Sequence, residues 1–187
     1  MVVPADSPDA LPRLREALGS GGVAVVPCDT IYGLVGIAPD TEARIRGIKG
    51  RGEDRPFLQL VADRAWALRL ASRAPSSLEK YWPGPLTLIL PARAGGTIAL
   101  RVPASPFLRD LIDGLGRPLY STSVNRAGQA PLWRIEQIVA GFEAVVDIVL
   151  DAGDLPEASP STIVDATSRP FRVVRQGSIA VPLQDLL

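Results

Sequence analysis

The segment Pro27-Cys28-Asp29-Thr30-Ile31-Tyr32-Gly33-Leu34 has the residue types of a ligand site placed between two apolar runs. Residues 23–26 are apolar, small polar residues follow Pro27, and the apolar pattern then resumes. Polar side chains at a strand end can face a ligand while the sheet holds them rigid. Asp and Thr are also common turn residues, so a simple turn is an equal alternative.

A basic segment follows at Lys49-Gly50-Arg51-Gly52-Glu53-Asp54-Arg55-Pro56. Gly50 and Gly52 allow the backbone to approach a ligand closely. Arginine can donate two hydrogen bonds to phosphate oxygens and lysine adds a point charge, so the segment suits a polyphosphate. Two other interpretations of the segment remain. Its cations could cap the C-terminus of the preceding helix, or the segment could be a solvated charged loop.

Arg101 lies inside the apolar pattern of Leu100-Arg101-Val102-Pro103. An unpaired buried guanidinium is costly, so we expect Arg101 to meet an anion or a carboxylate. The sequence leaves open whether that partner is Asp29 or a ligand.

Two later segments end strands with polar groups. In Tyr120-Ser121-Thr122-Ser123-Val124-Asn125, the period of two puts Ser121 and Ser123 on one face, with Asn125 just past the strand. Such a tip suits a carboxylate or a ribose, although a hydroxyl turn would also close the strand. Ser161 opens a further strand and Arg175 ends another.

Composition limits the chemistry that these residues can perform. The chain has 187 residues, 20 Lys+Arg and 20 Asp+Glu, and no histidine. Histidine-based triads, general bases and zinc sites are therefore excluded. Cys28 is the single cysteine, so an intrachain disulfide or a multi-cysteine metal cluster is excluded as well. The zero net charge argues against a dedicated nucleic-acid coat.

The elements that position these residues alternate along the chain. Apolar periodicity predicts strands at residues 23–26, 32–37, 57–61, 86–90, 98–102, 119–123, 145–150, 162–165 and 171–174. Helices are predicted after the caps Asp9, Asp40, Asp63 and Ser105, and at residues 75–82 and 135–142. This order predicts a single-domain α/β fold with a twisted, open, mixed sheet flanked by helices.

Familiar nucleotide motifs are missing. A Walker P-loop does not occur. Gly19, Gly21 and Ala24 match G-x-G-x-x-A but follow a helix and precede a strand, the reverse of the dinucleotide fingerprint.

Taken in order, the segments resemble the YrdC family of threonylcarbamoyl-AMP synthases. The resemblance includes Trp82-Pro83-Gly84-Pro85-Leu86-Thr87, Arg101-Val102-Pro103, Pro160-Ser161-Thr162 and Arg175-Gln176-Gly177, and it spans about residues 8–178. It implies a YrdC-like domain with a concave cationic cavity, in the short form without an extra C-terminal domain.

The resemblance also implies a reaction in which L-threonine, bicarbonate and ATP give threonylcarbamoyl-AMP and pyrophosphate, for tRNA modification. Mg²⁺ is expected with ATP, held by phosphate oxygens and water rather than by protein side chains. By residue, it implies an ATP set, a threonine set and supporting residues, with Lys49 and Arg51 as the catalytic pair. These are Lys49, Arg51, Arg55, Thr97, Asn125 and Arg175 for ATP; Thr30, Arg101, Ser123 and Ser161 for threonine; and Asp29, Tyr32 and Ser121 as support.

Four positions depart from the family pattern. Cys28 replaces a threonine, Gly52 replaces a proline, Arg55 stands where Asn or Lys is common, and Leu60 stands where many relatives carry a histidine. These changes leave open a paralogue that acts on another acceptor.

The main alternative of another class is a module that binds double-stranded RNA or tRNA, which also uses distributed cations. We expect no leader peptide and no membrane span, hence a cytoplasmic protein. Expected partners are ATP, threonine and bicarbonate, with tRNA or double-stranded RNA as a further candidate, and the proteins that transfer the threonylcarbamoyl group.

Overall fold

The computed structural model describes residues 1–50, 52 and 56–187. Its described strands form one mixed sheet in the order β1-β8-β2-β3-β7-β4-β6-β5-β9-β10. The strands are β1 (Val2–Pro4), β2 (Val23–Pro27), β3 (Tyr32–Ile37), β4 (Leu58–Leu60), β5 (Leu86–Pro91), β6 (Thr97–Arg101), β7 (Leu119–Ser123), β8 (Ile148–Asp151), β9 (Thr162–Asp165) and β10 (Arg172–Arg175). The helices are α1 (Ala10–Gly19), α2 (Glu42–Lys49), α3 (Arg64–Leu70), α4 (Ser76–Glu79), α5 (Pro106–Leu115), α6 (Ile135–Phe142) and α7 (Leu183–Leu186).

The predicted α/β class with a mixed sheet is confirmed. Pairings β2–β8 and β5–β9 are parallel, whereas β2–β3 and β3–β7 are antiparallel. The antiparallel β2–β3 pair aligns Pro27 with Tyr32, so residues 28–31 form the connection at one end of the sheet. Every predicted strand is present within a few residues of its expected bounds.

Alternation along β2 explains why helices cover both faces of this half of the sheet. Ala24 and Val26 pack into a core cluster with α1 and α5, whereas Val23 and Val25 pack into a second cluster with α2 and α6. Because successive strand residues point to opposite faces, a continuous apolar run serves two cores at once.

The other half of the sheet is covered differently. Leu86, Leu88 and Leu90 of β5 pack into a third cluster with residues of α3, α4 and α7. The intervening residues Thr87 and Ile89 face a cavity. The described helices therefore cover one face of these strands and leave the other open for a site.

Helix boundaries follow local signals in most cases. Ser105 accepts a hydrogen bond from the Leu108 amide, which starts α5, and Asp63 caps α3 by accepting one from Trp66. Gly116 ends α5 with φ of 64°, in the left-handed region that favours glycine.

Three details differ from the expectation. Asp40 does not cap α2: Thr41 occupies the N-cap position, and Asp40 accepts hydrogen bonds from Arg117. The helix predicted at 75–82 is only the single turn α4, Ser76–Glu79. The sequence patterns also missed β1 and α7, which are too short to show a period.

Within the described residues, no helix has both the length and the apolar character needed to span a bilayer.

Candidate active site

A cavity of about 780 Å³ opens over the exposed face of β5, β6 and β9. It extends to the end of α2, the tip of β7 and the connection between β2 and β3. Every described member of the predicted ATP and threonine sets lines it: Lys49, Thr97, Asn125, Arg175, Thr30, Arg101, Ser123 and Ser161. A smaller cavity of about 390 Å³ beside Arg73 and Phe171 contains none of them. Segments separated by more than a hundred residues therefore converge on one space.

Arg51 and Arg55 of the predicted ATP set lie outside the described residues. Their neighbours Gly50, Gly52 and Pro56 line the cavity, so the described ends of the basic segment border the site.

Arg101 forms a buried ion pair with Asp29, one of the two partners that the sequence left open. The side chains are 6% and 7% exposed. Asp29 also accepts hydrogen bonds from the amides of Ala104 (2.7 Å) and Ser105 (2.9 Å), and Arg101 Nε donates to the Gly84 carbonyl (3.1 Å). Asp29 thus ties the β2–β3 connection to the start of α5 and fixes the direction of the guanidinium.

Lys49 is buried in the last turn of α2 and holds the tip of β7. Its ammonium donates to the Ser123 carbonyl (2.6 Å), the Asn125 carbonyl (3.2 Å) and Asn125 Oδ1 (2.6 Å). Asn125 Oδ1 also accepts from Ser123 Oγ at 2.7 Å. The predicted contact of Lys49 with a triphosphate would have to exchange with one of these bonds. In this geometry its charge orients Ser123 and Asn125.

Arg175, the third cation of the cavity, contacts one of a pair of hydroxyl-bearing residues on the wall near β5 and β9. Ser161 Oγ lies 2.9 Å from Thr87 Oγ1, and the Ser161 carbonyl accepts from Arg175 Nη2 (2.8 Å) and Nε (3.2 Å). Thr87 is fully buried and Ser161 is 3% exposed. Fixed hydroxyls beside a guanidinium are suited to a carboxylate or phosphate.

A β-bulge directs Arg175 into the cavity. The register of β10 against β9 shifts between Val173 and Arg175, so Val174 is an additional residue in the strand. Val174 and Arg175 both line the cavity. Bulges commonly redirect side chains at sites, and this one gives the edge strand a role there.

The charges of Arg175 and Arg101 influence one another. Partial burial, and then the positive charge of Arg101, lower the pKa of Arg175 from its ordinary value. The charged form is therefore under electrostatic strain that an anion between the two guanidiniums would relieve.

The remaining predicted residues are placed as follows. Ser121 and Tyr32 line the cavity wall, and Asp29 supports Arg101 from behind it. The buried Tyr32 hydroxyl donates to the Gly153 carbonyl (2.7 Å) and accepts from the Ala152 amide (3.0 Å), so it fastens β3 to the end of β8. Burial raises the pKa of Tyr32, which remains a neutral phenol.

Cys28 lies in the cavity wall beside Ser121 and Gly33. A Cβ added to Gly33 would come within 2.7 Å of Cys28 Sγ and 3.2 Å of Ser121 Oγ, so only glycine fits between them. Burial raises the pKa of Cys28 to about 11; the charge of Arg101 lowers this pKa by a smaller amount, and the charge of Asp29 raises it. The thiol is therefore neutral near pH 7 and is not an activated nucleophile.

Sequence reasoning missed one part of the wall. Glu42, Phe57 and Tyr120 line the cavity next to the basic segment. Their spacing carries no recognisable motif, and only Glu42, as an acidic residue in the first turn of α2, has a local signal.

The described residues contain no cluster of three acidic or cysteine side chains that could hold a metal ion. The hydroxyl and amide oxygens that line the cavity are hard ligands of the kind that Mg²⁺ binds.

The fold and this cavity define an α/β protein whose candidate site is lined by cations and hydroxyl groups. The family model of Sua5, YciO and YrdC, described as "Telomere recombination", matches residues 16–177. The chain belongs to that family.

Relatives and solved structures support the assignment. A threonylcarbamoyl-AMP synthase of Nitrosococcus oceani is 36% identical, over 83% of this chain and 95% of the relative. One of Pyrococcus abyssi is 31% identical over 93% of this chain, which spans only 56% of that relative. The structure of Escherichia coli YciO matches with a TM-score of 0.85 and 26% identity, over 100% of this chain and 98% of its own. That of P. abyssi Sua5 complexed with L-threonine matches with a TM-score of 0.85 and 25% identity, over 95% and 57% respectively.

Proposed function

We propose that this chain is a nucleotidyltransferase that makes threonylcarbamoyl-AMP from L-threonine, bicarbonate and ATP. The observation that carries the proposal is the convergence of Lys49, Arg101 and Arg175 with hydroxyls from β6, β7 and the start of β9 on one cavity. The names of the relatives supply the substrate class, and the cavity supplies a chemical reason for it.

The reaction joins two anions. The threonine amine and bicarbonate give an N-carboxylate and water. An oxygen of that carboxylate then attacks the α-phosphorus of ATP, the bond between the α-phosphorus and the bridging oxygen breaks, and pyrophosphate leaves with the electron pair. Cations must screen the repulsion between the reactants and the charge on the leaving group.

The described cations and hydroxyls divide between the two substrates, and Lys49 holds Ser123 and Asn125 in place. Arg101, oriented by Asp29, binds the threonine carboxylate through its remaining N–H groups, since a guanidinium has five. Thr30, Ser123 and Ser161 orient the amino acid. Arg175, Thr97 and Asn125 face the nucleotide, and Mg²⁺ bound to ATP would offset phosphate charge.

No side-chain nucleophile or histidine is required. Positioning of reactants can supply about 7–11 kcal/mol in the best intramolecular models. The neutral thiol of Cys28 is consistent with a wall residue rather than a covalent participant.

The proposal extends to the protein's setting. The product is an activated carbamoyl group that a transferase would pass to tRNA, and the reaction would take place in the cytoplasm, where ATP is available. tRNA and the transfer proteins would then be partners of the product or of the enzyme.

The decisive experiment measures pyrophosphate release by the purified chain with ATP and Mg²⁺, and omits threonine or bicarbonate in turn. We expect release that needs both, together with a threonine-dependent adenylate identified by mass spectrometry. Release without threonine would indicate another acceptor. Absence of release, with duplex RNA binding that falls steeply with salt, would instead favour the RNA-binding module.

A further inference from the structure

Glu42 is the one acidic side chain, among the residues that the structure describes, that lines the cation-rich cavity. It lies in the first turn of α2, where the helix dipole favours a negative charge. A carboxylate at this wall would repel a triphosphate at short range. The wall therefore needs a partner that cancels this charge.

Arg46, one turn further along α2, is that partner. Its Nε and Nη2 donate to Glu42 Oε1 at 3.0 and 2.7 Å. The Arg46 side chain is 14% exposed and that of Glu42 is 39% exposed. Tyr120 Oη donates to Glu42 Oε2 at 3.0 Å, so both carboxylate oxygens have donors.

Arg46 also contacts the wall on either side of Glu42. Its Nη1 donates to the Gly52 carbonyl at 2.5 Å, and its guanidinium lies 4.9 Å from the centre of the Phe57 ring. Phe57 in turn packs edge-on against Tyr120, with ring centres 5.7 Å apart. Gly52, Phe57 and Tyr120 all line the cavity, whereas Arg46 lies behind them. The Arg46 guanidinium therefore contacts three residues of this wall, and two of them, Glu42 and Phe57, contact Tyr120.

We propose, on the basis of the ATP-dependent function above, that Arg46 is a positioning residue of the ATP site: it neutralises Glu42 and holds that carboxylate in the wall, so that a triphosphate can occupy the cavity. Arg46 does not touch the nucleotide. It acts through Glu42, and its contacts with Gly52 and Phe57 keep the Arg46 guanidinium aligned with the Glu42 carboxylate.

The ionisation state of Glu42 supports this assignment. Hydrogen bonding to Arg46 lowers the pKa of Glu42, which therefore stays ionised at neutral pH. Without Arg46 the same carboxylate would be an uncompensated negative charge next to the phosphates. Removing Glu42 as well should remove the penalty, which a purely structural role of Arg46 does not predict.

The test is calorimetric titration of the purified chain with MgATP and, separately, with L-threonine. We expect Arg46→Met to weaken MgATP binding about tenfold, the size of one short-range charge effect, and to change threonine binding less than about twofold. The double variant Glu42→Gln/Arg46→Met should recover most of that loss. The loss should also shrink in high salt.

Two further variants complete the design. Arg46→Lys keeps the charge beside Glu42 and should bind MgATP within about threefold of the wild type, and Glu42→Gln alone should bind at least as tightly as the wild type. Arg44→Met is the matched control, because Arg44 is on the same helix but pairs with Asp147 at 2.7 Å and does not line the cavity. It should bind MgATP normally.

The outcomes separate this inference from the proposed function. Normal MgATP binding by Arg46→Met, or a double variant as weak as the single one, overturns the inference alone. If Arg46→Met fails to fold, weaker MgATP binding by Glu42→Gln overturns it. A wild type that binds MgATP but forms no adenylate overturns the function and leaves the Arg46 result standing; a wild type that binds no MgATP overturns both.

Discussion

Asp29 and Arg101, which are 72 residues apart in the sequence, form an ion pair almost fully removed from solvent. The pair joins the β2–β3 connection to the end of β6, and the two amides at the start of α5 complete the hydrogen bonding of the carboxylate.

Replacing Asp29 with Asn should destabilise the fold by about 3–5 kcal/mol, because it leaves the Arg101 charge buried without a counter-charge. Urea denaturation measures this change in the free energy of unfolding. Asp40→Asn is the control, since the Asp40–Arg117 pair is 52% and 42% exposed and should contribute less than about 1 kcal/mol. Similar losses in the two variants would contradict the role given to burial.

Replacing Arg175 with Ala should remove most adenylate formation while the fold survives, because Arg175 is on the edge strand β10 and is only partly buried. Pyrophosphate release and circular dichroism measure the two effects. Arg172→Ala serves as the control: Arg172 is on the same strand, its side chain is 78% exposed, and it does not line the cavity. Near-normal turnover in Arg175→Ala would remove this residue from the proposed ATP set.

Thr87 should act as a positioning residue for Ser161. Thr87→Val keeps the shape but removes the hydroxyl that lies 2.9 Å from Ser161 Oγ, so the KM for threonine should rise several-fold with a smaller change in the KM for ATP. Thr87→Ser restores the hydroxyl and should recover the threonine KM. Equal losses in both variants would indicate packing alone as the function of Thr87.

The raised pKa of Cys28 gives a stability change at alkaline pH. The thiol ionises near 9.0 when unfolded and near 11 when folded, so the unfolded state loses its proton first. Stability is therefore fully present below pH 9 and falls as pH rises from 9 to 11, by an amount of the order of 1–3 kcal/mol.

Cys28→Ser isolates this contribution from the other groups that titrate in the same range. The alkaline loss of stability should be smaller in Cys28→Ser than in the wild type, and adenylate formation at neutral pH should be retained. The same slope in both proteins would contradict the burial of the thiol, and loss of activity would contradict its passive role.

Local pattern was sufficient for much of the fold. The apolar run at β2 and the alternation at β7 predict strands because their periods are properties of the chain alone. The Ser105 cap and Gly116 stop predict α5 for the same reason. The strand β1 was missed because its three residues are fixed by parallel pairing with β8, a long-range contact that no local pattern encodes.

The sequence by itself determined which residue types are available, the order of the elements, and the absence of histidine and of a second cysteine. The tertiary structure decided which of these residues meet. It paired Arg101 with Asp29, turned Lys49 towards the carbonyls of Ser123 and Asn125, and placed Arg46 behind Glu42. Charge pairing depends on distance in space and on burial, and both are set by how distant strands order themselves in the sheet.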